Sequence, residues 1–302
     1  MLYIDFNDTS VESIQTNKSI LGGEKIVSCA RHEISDGLII NGLIVDPEKL
    51  KSELKSIFAS GYPRSQNDKQ AAITISDKQV ITHRFPLDDS VREENISDVV
   101  IDQAKKILPY DPSELDNFYR IVNDENGKKG ILYTATAKNT IAHFAKFLLS
   151  IGVSPLFISS RSFAVFELVK DVIGDSEKIL YSSIDKKTAE YIIYDKFGPV
   201  SSMHKKLSGK GFATETRSVL ADLEKNHDIH VSKMVLNGIE SMELHASELS
   251  EALNLQTLKM GDFMESVLQK EKLGFESGGI PKMLLSNSLG LIFLSRTKSP
   301  LS

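Results

Sequence analysis

The segment Leu2-Tyr3-Ile4-Asp5-Phe6-Asn7-Asp8-Thr9-Ser10 recurs in kind as Leu180-Tyr181-Ser182-Ser183-Ile184-Asp185-Lys186-Lys187-Thr188. Each is an apolar strand that ends on an aspartate, turns through polar residues including a threonine, and re-enters a strand pattern. That repetition predicts a duplicated phosphate-binding hairpin, one per half of the chain. A phosphate loop uses glycine so that backbone N–H groups can crowd the anion. These turns carry Asn7, Asp8, Lys186 and Lys187 instead, so the architecture of a nucleotide site is expected to outlast its chemistry.

Composition excludes several classes. The chain has 302 residues, enough for two sizeable cores, and 41% hydrophobic with 25% charged content fits a globular protein. A net charge of −5 supplies no basic field for nucleic acid and no polybasic membrane patch. Cys29 stands alone, so disulfides and cysteine metal clusters drop out and a buried inert thiol in a reducing compartment is expected. The first residues have no basic, long apolar leader, and the apolar run 289–294 is far short of the roughly 20 residues a membrane span needs. The expectation is a cytoplasmic protein without direct membrane insertion.

Strand and helix signals alternate. Strands are expected at 2–6, 9–15 and 24–30, then a helix from Asp46-Pro47 to about 60, with Leu50, Leu54, Ile57 and Phe58 on one face. After a strand at 71–76, residues 78–151 read as a β-α-β-β-α unit: strand 79–85, helix 89–108, strands 116–122 and 130–136 around Asn126-Gly127, and helix 139–150. Strand 155–159 and helix 161–173 follow, and Gly174-Asp175-Ser176 separates the halves. Beyond the second hairpin come helix 211–225, strand 231–236, helix 246–253 and a last helix near 281–294. The expected division is 1–77 with 152–174 as a first subdomain, 78–151 as an insertion, and 175–302 as a shortened second half.

In order and spacing these pieces resemble the PilM family, the actin-like cytoplasmic component of type IV pilus assembly, related in fold to FtsA. The segments that carry the resemblance are Gly42-Leu43-Ile44-Val45-Asp46-Pro47, Val80-Ile81-Thr82-His83-Arg84-Phe85-Pro86-Leu87, Ile107-Leu108-Pro109-Tyr110-Asp111-Pro112 and Gly152-Val153-Ser154-Pro155-Leu156. The resemblance implies an α/β, actin-like ATPase (ribonuclease H-like, duplicated) fold with an inserted β-α-β-β-α subdomain. It places Asp5 and Asp185 on the aspartates of two phosphate loops that hold Mg²⁺ and ATP in active relatives, with Thr9 and Thr188 beside them. Gly238 falls in the adenosine motif, here Leu236-Asn237-Gly238-Ile239-Glu240-Ser241.

Departures from the pattern are specific. Asn7 replaces a loop glycine and Glu12 the loop lysine. An opposite charge about 4 Å from a phosphate oxygen is worth on the order of 4 kcal/mol at a dielectric near 20, and a glutamate reverses its sign. ATP with Mg²⁺ is therefore expected to bind weakly or not at all, and Asp5, Thr9, Asp185, Thr188 and Gly238 mark the vestigial cleft expected of a degenerate actin-like ATPase. No other chemistry stands out. His227 and His230 lack a third ligand nearby in sequence, Ser159-Ser160-Arg161-Ser162 lacks a nucleophile elbow, and Gly209-Lys210-Gly211 is no Walker sequence.

By resemblance, the partner is the amino-terminal tail of an inner-membrane PilN-like protein. The resemblance places it in a groove between the inserted subdomain and the first actin-like subdomain, for which the residues at the helix exit, Ile107, Leu108 and Tyr110, are the candidates; it would recruit the chain to the inner face of the cytoplasmic membrane, among other pilus assembly components. Homo-oligomerisation stays open, and nucleic acid is not expected. An active actin-like ATPase and a GspL-like domain of type II secretion are the alternatives.

Overall fold

The computed structural model describes residues 1–18, 24–108, 111–123, 127–185, 188–209, 211–239 and 244–297. The chain divides into two units. The first comprises Met1–Glu167, Leu273–Ile280 and Asn287–Ser302, the second Leu168–Lys272 and Pro281–Ser286.

Unit 1 is built on a five-stranded sheet. Its strands are β1 (Leu2–Phe6), β2 (Ser10–Lys18), β3 (Glu24–Glu33), β6 (Gln70–Ile75) and β10 (Ser154–Ser160), in the spatial order β10-β6-β1-β2-β3. β1 pairs antiparallel with β2 and parallel with β6. A short hairpin of β4 (Ile39–Ile40) and β5 (Leu43–Ile44) precedes α1 (Pro47–Ala59). Asp46 caps that helix as the sequence predicts, its Oδ1 accepting from Lys49 N at 3.0 Å with proline in the first turn. α1 buries Leu50, Leu54 and Ile57 in the core under the sheet.

The inserted segment supplies a second, three-stranded sheet in the order β7-β9-β8, from β7 (Val80–Pro86), β8 (Leu115–Asn123) and β9 (Lys129–Ala137). α2 (Ile96–Ile107) covers one face, with Ile96, Val100 and Ala104 packed on Phe85, Ile131 and Tyr133. The helix begins seven residues later than the Asp89 start expected. Asp88 closes a turn on Ser90 N at 2.8 Å, and a 3-10 turn over Glu93–Asn95 follows it. α3 (Lys138–Ser150) corrects the reading of 78–151 as one body. Phe144, Phe147 and Leu148 of α3 belong to the core of the five-stranded sheet, and the Phe6 ring lies 5.6 Å from that of Phe144. Three strands and α2 form the insertion's own core, and α3 returns the chain to the main one.

Unit 2 repeats the arrangement. Its strands β11 (Ile179–Asp185), β12 (Thr188–Asp195), β13 (Gly198–Lys206), β14 (Lys233–Asn237) and β15 (Gln256–Lys259) run in the order β13-β12-β11-β14-β15. Read from the meander outward, both large sheets have the order 3-2-1-4-5 of their own strands, so the duplication seen at Asp5 and Asp185 is a duplication of topology. α5 (Phe212–His227) and α6 (Ala246–Leu253) cover Leu180, Tyr191, Ile193 and Met234. β15 and α7 (Met260–Lys270) are elements the sequence reading left out.

The last helix differs most from expectation. α4 (Arg161–Val169) follows β10, and α8 (Ser286–Arg296) packs against it inside unit 1, not in a second half running to 302. A Cβ on Gly290 of α8 would lie 2.0 Å from the Ala164 carbonyl oxygen of α4, so only glycine permits the approach.

Candidate functional site

Asp5 sits at the end of β1, in the middle of the sheet and 2% exposed. A buried carboxylate needs donors, and four side-chain contacts provide them. Arg161 Nε donates to Oδ1 at 3.0 Å and Nη2 to Oδ2 at 3.2 Å, while Nη2 also reaches Phe6 O at 3.1 Å. Asn287 Nδ2 donates to Oδ2 at 3.1 Å, and Thr74 Oγ1, on the neighbouring strand, donates to Oδ1. Arg161 lies at the start of α4 and Asn287 at the start of α8, so both helix starts converge on this one side chain.

Glu12 is the cross-strand partner of Asp5 and is also buried. Like charges directly opposite on a sheet repel. Glu12 Oε1 accepts from Ser288 N at 2.7 Å, and Ser288 Oγ donates to the Glu12 carbonyl at 3.3 Å. The carboxyl occupies the position at the first turn of α8 where a helix favours an anion. Burial first, and then the Asp5 charge, push its pKa up to about 8, against the Ser288 amide, Arg31 and Arg161.

The β1–β2 turn is equally committed. Asn7 N donates to Ser10 O at 2.9 Å and Asp8 N to Asn7 Oδ1 at 2.7 Å, so these amides face their own loop. Asp8 accepts from Gly42 N at 2.7 Å, Asn41 N at 3.1 Å and Lys78 Nζ at 2.9 Å. Thr9 is exposed, and its carbonyl accepts from Ile34 N at 3.0 Å. The residues of this loop do not fit a Mg²⁺-bound triphosphate. Two turn amides are used internally, the Asp5 carboxylate is held by arginine, and Glu12 adds a second buried carboxyl opposite it.

In unit 2, Asp185 and Thr188 close the β11–β12 hairpin as register partners, the first half-buried and the second exposed. Lys186, Lys187, Glu240 and Ser241 lie outside the described residues. Gly238 has φ +91°, and a Cβ there would stand 2.2 Å from Ile184 O, so close packing on β11 is sufficient reason for glycine. Asn237 Nδ2 donates to Tyr181 Oη at 2.7 Å and Ser286 Oγ at 2.8 Å. Among the described residues no group of three His, Cys, Asp or Glu is placed to hold a metal ion, and no helix is long and apolar enough to cross a membrane.

Of the residues expected to meet a partner, Leu108 is half-buried against the core of the inserted subdomain, its N donating to Ala104 O at 2.9 Å. The Ile107 side chain and Tyr110 lie outside the described residues. Sequence reading missed Arg161 and Asn287 as partners of Asp5. The available signal was Arg161 between the apolar stretches Phe157-Ile158 and Phe163–Phe166, since an arginine that is buried needs a partner.

The family model described as type IV pilus assembly protein PilM matches residues 3–178. The fold is similar to that of a PilM–PilN type IV pilus biogenesis complex, with TM-score 0.73 and 14% identity over 99% of this chain and 98% of that one. It is also similar to the cytoplasmic domain of EpsL, an inner membrane component of the type II secretion system of Vibrio cholerae (TM-score 0.52, 10% identity, 99% and 96% covered). A third similar structure is the ethanolamine utilization protein EutJ from Carboxydothermus hydrogenoformans (TM-score 0.51, 10% identity, 96% and 88% covered). At these identities the likeness is one of fold, the actin-like ATPase fold. No curated protein matches the sequence.

Proposed function

The chain belongs to the type IV pilus assembly protein PilM family, and on that premise we propose that it is a non-catalytic adaptor for the cytoplasmic N-terminal tail of a PilN-like inner-membrane protein. The observation that carries the reading is the β1–β2 loop. Its place for phosphate is supplied from within by Glu12, Arg161 and the start of α8, whereas the inserted three-stranded subdomain keeps a complete core. Phosphate chemistry is lost and the extra subdomain is kept, so the retained duty is recognition. The tail draws the chain to the inner face of the membrane, where other assembly components meet it. The resemblance to EpsL rests on fold alone.

A tail of this kind is disordered when free, so ordering it consumes contact energy and affinity is modest, roughly micromolar. Calorimetry with the synthetic N-terminal tail of a PilN-like protein tests the reading. Saturable 1:1 binding supports it, and heat indistinguishable from dilution rejects it. In the same cell, Mg²⁺-ATP binding at low micromolar strength, about −8 kcal/mol, would falsify the non-catalytic part.

A further inference from the structure

We propose that a cleft along the outer edge of β3 binds an extended acidic segment of a partner protein, which adds to the five-stranded sheet as a further strand. β3 is the outermost strand on its side of that sheet. At Cys29 the chain extends the sheet with a residue of its own: Cys29 N donates to Tyr62 O and Tyr62 N to Cys29 O, both at 2.9 Å, an antiparallel bridge. An antiparallel neighbour continued past Tyr62 would run along β3 toward Lys25. Instead the chain leaves the ladder. The Arg64 carbonyl accepts from Ser28 Oγ at 2.5 Å, and Gln66 N donates to Phe58 O at 2.8 Å. Val27, the extra residue of a bulge against β2, marks where it leaves.

The vacated edge faces a cleft of about 600 Å³, lined by Lys25–Ser28 of β3, by Pro63 and Arg64, and by 274–276. All of these belong to unit 1. The last segment is anchored in place. Tyr62 Oη donates to Glu276 Oε2 at 3.2 Å, and Cys29 Sγ donates to the Glu276 carbonyl at 3.7 Å. A Cβ on Gly278 (φ +60°) would stand 2.6 Å from Tyr62 Cγ, so that stretch is seated on the tyrosine ring. The residue that begins the edge pairing therefore also fixes the far side of the cleft.

Exposure and charge select the occupant. Lys25, Pro63, Arg64, Gly274 and Glu276 are exposed, so the cleft is a trough, whereas small-molecule sites bury roughly 70–90% of their ligand. An extended chain on a strand edge needs cover on one side only and is held by main-chain hydrogen bonds. Neither Lys25 nor Arg64 forms an ion pair among the described residues. The nearby acids are engaged, Glu24 by Arg296 at 3.3 Å and Glu276 by Tyr62. In a chain of net charge −5 this leaves two cations beside a strand edge, which calls for carboxylates. Ile26 is buried, and Val27 and Phe275 are half-buried, so a segment alternating apolar and acidic residues matches both. The cleft lies apart from the tail proposed above, and the inference does not depend on that reading.

Two capped heptapeptides test this on the full chain, one alternating valine with glutamate and one alternating valine with lysine. Fluorescence anisotropy reads binding, and hydrogen exchange follows residues 25–29. The acidic peptide is expected to bind saturably and to slow exchange there. Lys25→Glu combined with Arg64→Glu should keep the wild-type melting temperature, since both side chains are exposed. It should lose about tenfold or more in affinity for the acidic peptide and gain affinity for the lysine one. The acidic peptide N-methylated at alternate residues keeps its charges but cannot donate to a strand edge, and it should no longer slow exchange. The proposal is overturned if the acidic peptide leaves exchange at 25–29 unchanged, or binds the charge-reversed variant as tightly as wild type. Undiminished binding of the N-methylated peptide, or equal slowing by free glutamate at the same carboxylate concentration, overturns it as well.

Discussion

Glu12 Oε1 and the amide of Ser288 are 2.7 Å apart across 276 residues of sequence. The bond joins the second strand of the chain to the first turn of its last described helix. Asp5 and Arg161, 156 residues apart, make the companion ion pair. Together these contacts tie the first two strands to the starts of α4 and α8.

Stability should depend on pH through Glu12. A glutamate in the unfolded chain titrates near about 4.3, and in the folded protein burial and Asp5 raise it to about 8. Folding takes up a proton between those values, so this stabilisation is full below the lower one and declines as pH rises through the upper, by at most about 1.4 kcal/mol per pH unit. Glu12→Gln keeps an acceptor for Ser288 without ionising. Urea midpoints from pH 5 to 9 should fall less steeply for Glu12→Gln than for wild type; parallel curves would rule the mechanism out.

A lysine at position 12 is expected to harm the protein. In Glu12→Lys a buried ammonium would sit near Arg31 and Arg161 and against the positive end of α8. An uncompensated buried charge costs several kcal/mol, so melting should drop sharply with no gain in Mg²⁺-ATP binding, even alongside Asn7→Gly. A stable double variant that binds ATP would show that the loop is intact beneath its substitutions.

The Asp5–Arg161 pair is 3–5% exposed on both sides. Arg161→Met should cost about 3–5 kcal/mol, because Asp5 stays buried without its guanidinium, while Asp5→Asn with Arg161→Met should recover a good part. Chemical denaturation of the two single variants and the double completes the cycle. Additive losses would mean that the pair is not coupled.

The insertion should be removable at a particular seam. Val80 and Thr136 are register partners on neighbouring strands, roughly 5 Å apart, so a two-residue Asn-Gly turn can replace 81–135. Removing 78–151 also takes Phe144, Phe147 and Leu148 out of the main core. The shorter deletion is expected to melt cooperatively and the longer one to aggregate. Equal behaviour of the two would place α3 in the wrong body.

Local chemistry made much of this fold legible. Asp46-Pro47 announced α1, the Leu50, Leu54 and Ile57 spacing gave its buried face, and the twin strand-aspartate-turn segments gave the duplicated sheets. The start of α2 was misjudged because Asp88 closes a turn before the helix. Asn287 and Ser288 could not be read as site residues, and Arg161 showed only as an arginine in a segment that otherwise reads as buried strand and helix. Each acts through a partner more than 150 residues away, and no periodicity or cap records such a distance. Gly238 survives in a motif position for a packing reason, since Ile184 leaves no space for a side chain.

The return of α8 to unit 1 has a bearing on biosynthesis. Glu12 emerges from the ribosome early, but the amide that meets its carboxyl follows 276 residues later. At about 5–20 residues per second that is a wait of tens of seconds. During it the first sheet carries a buried-type acid without its partner, so the amino-terminal unit is completed after the one that follows it.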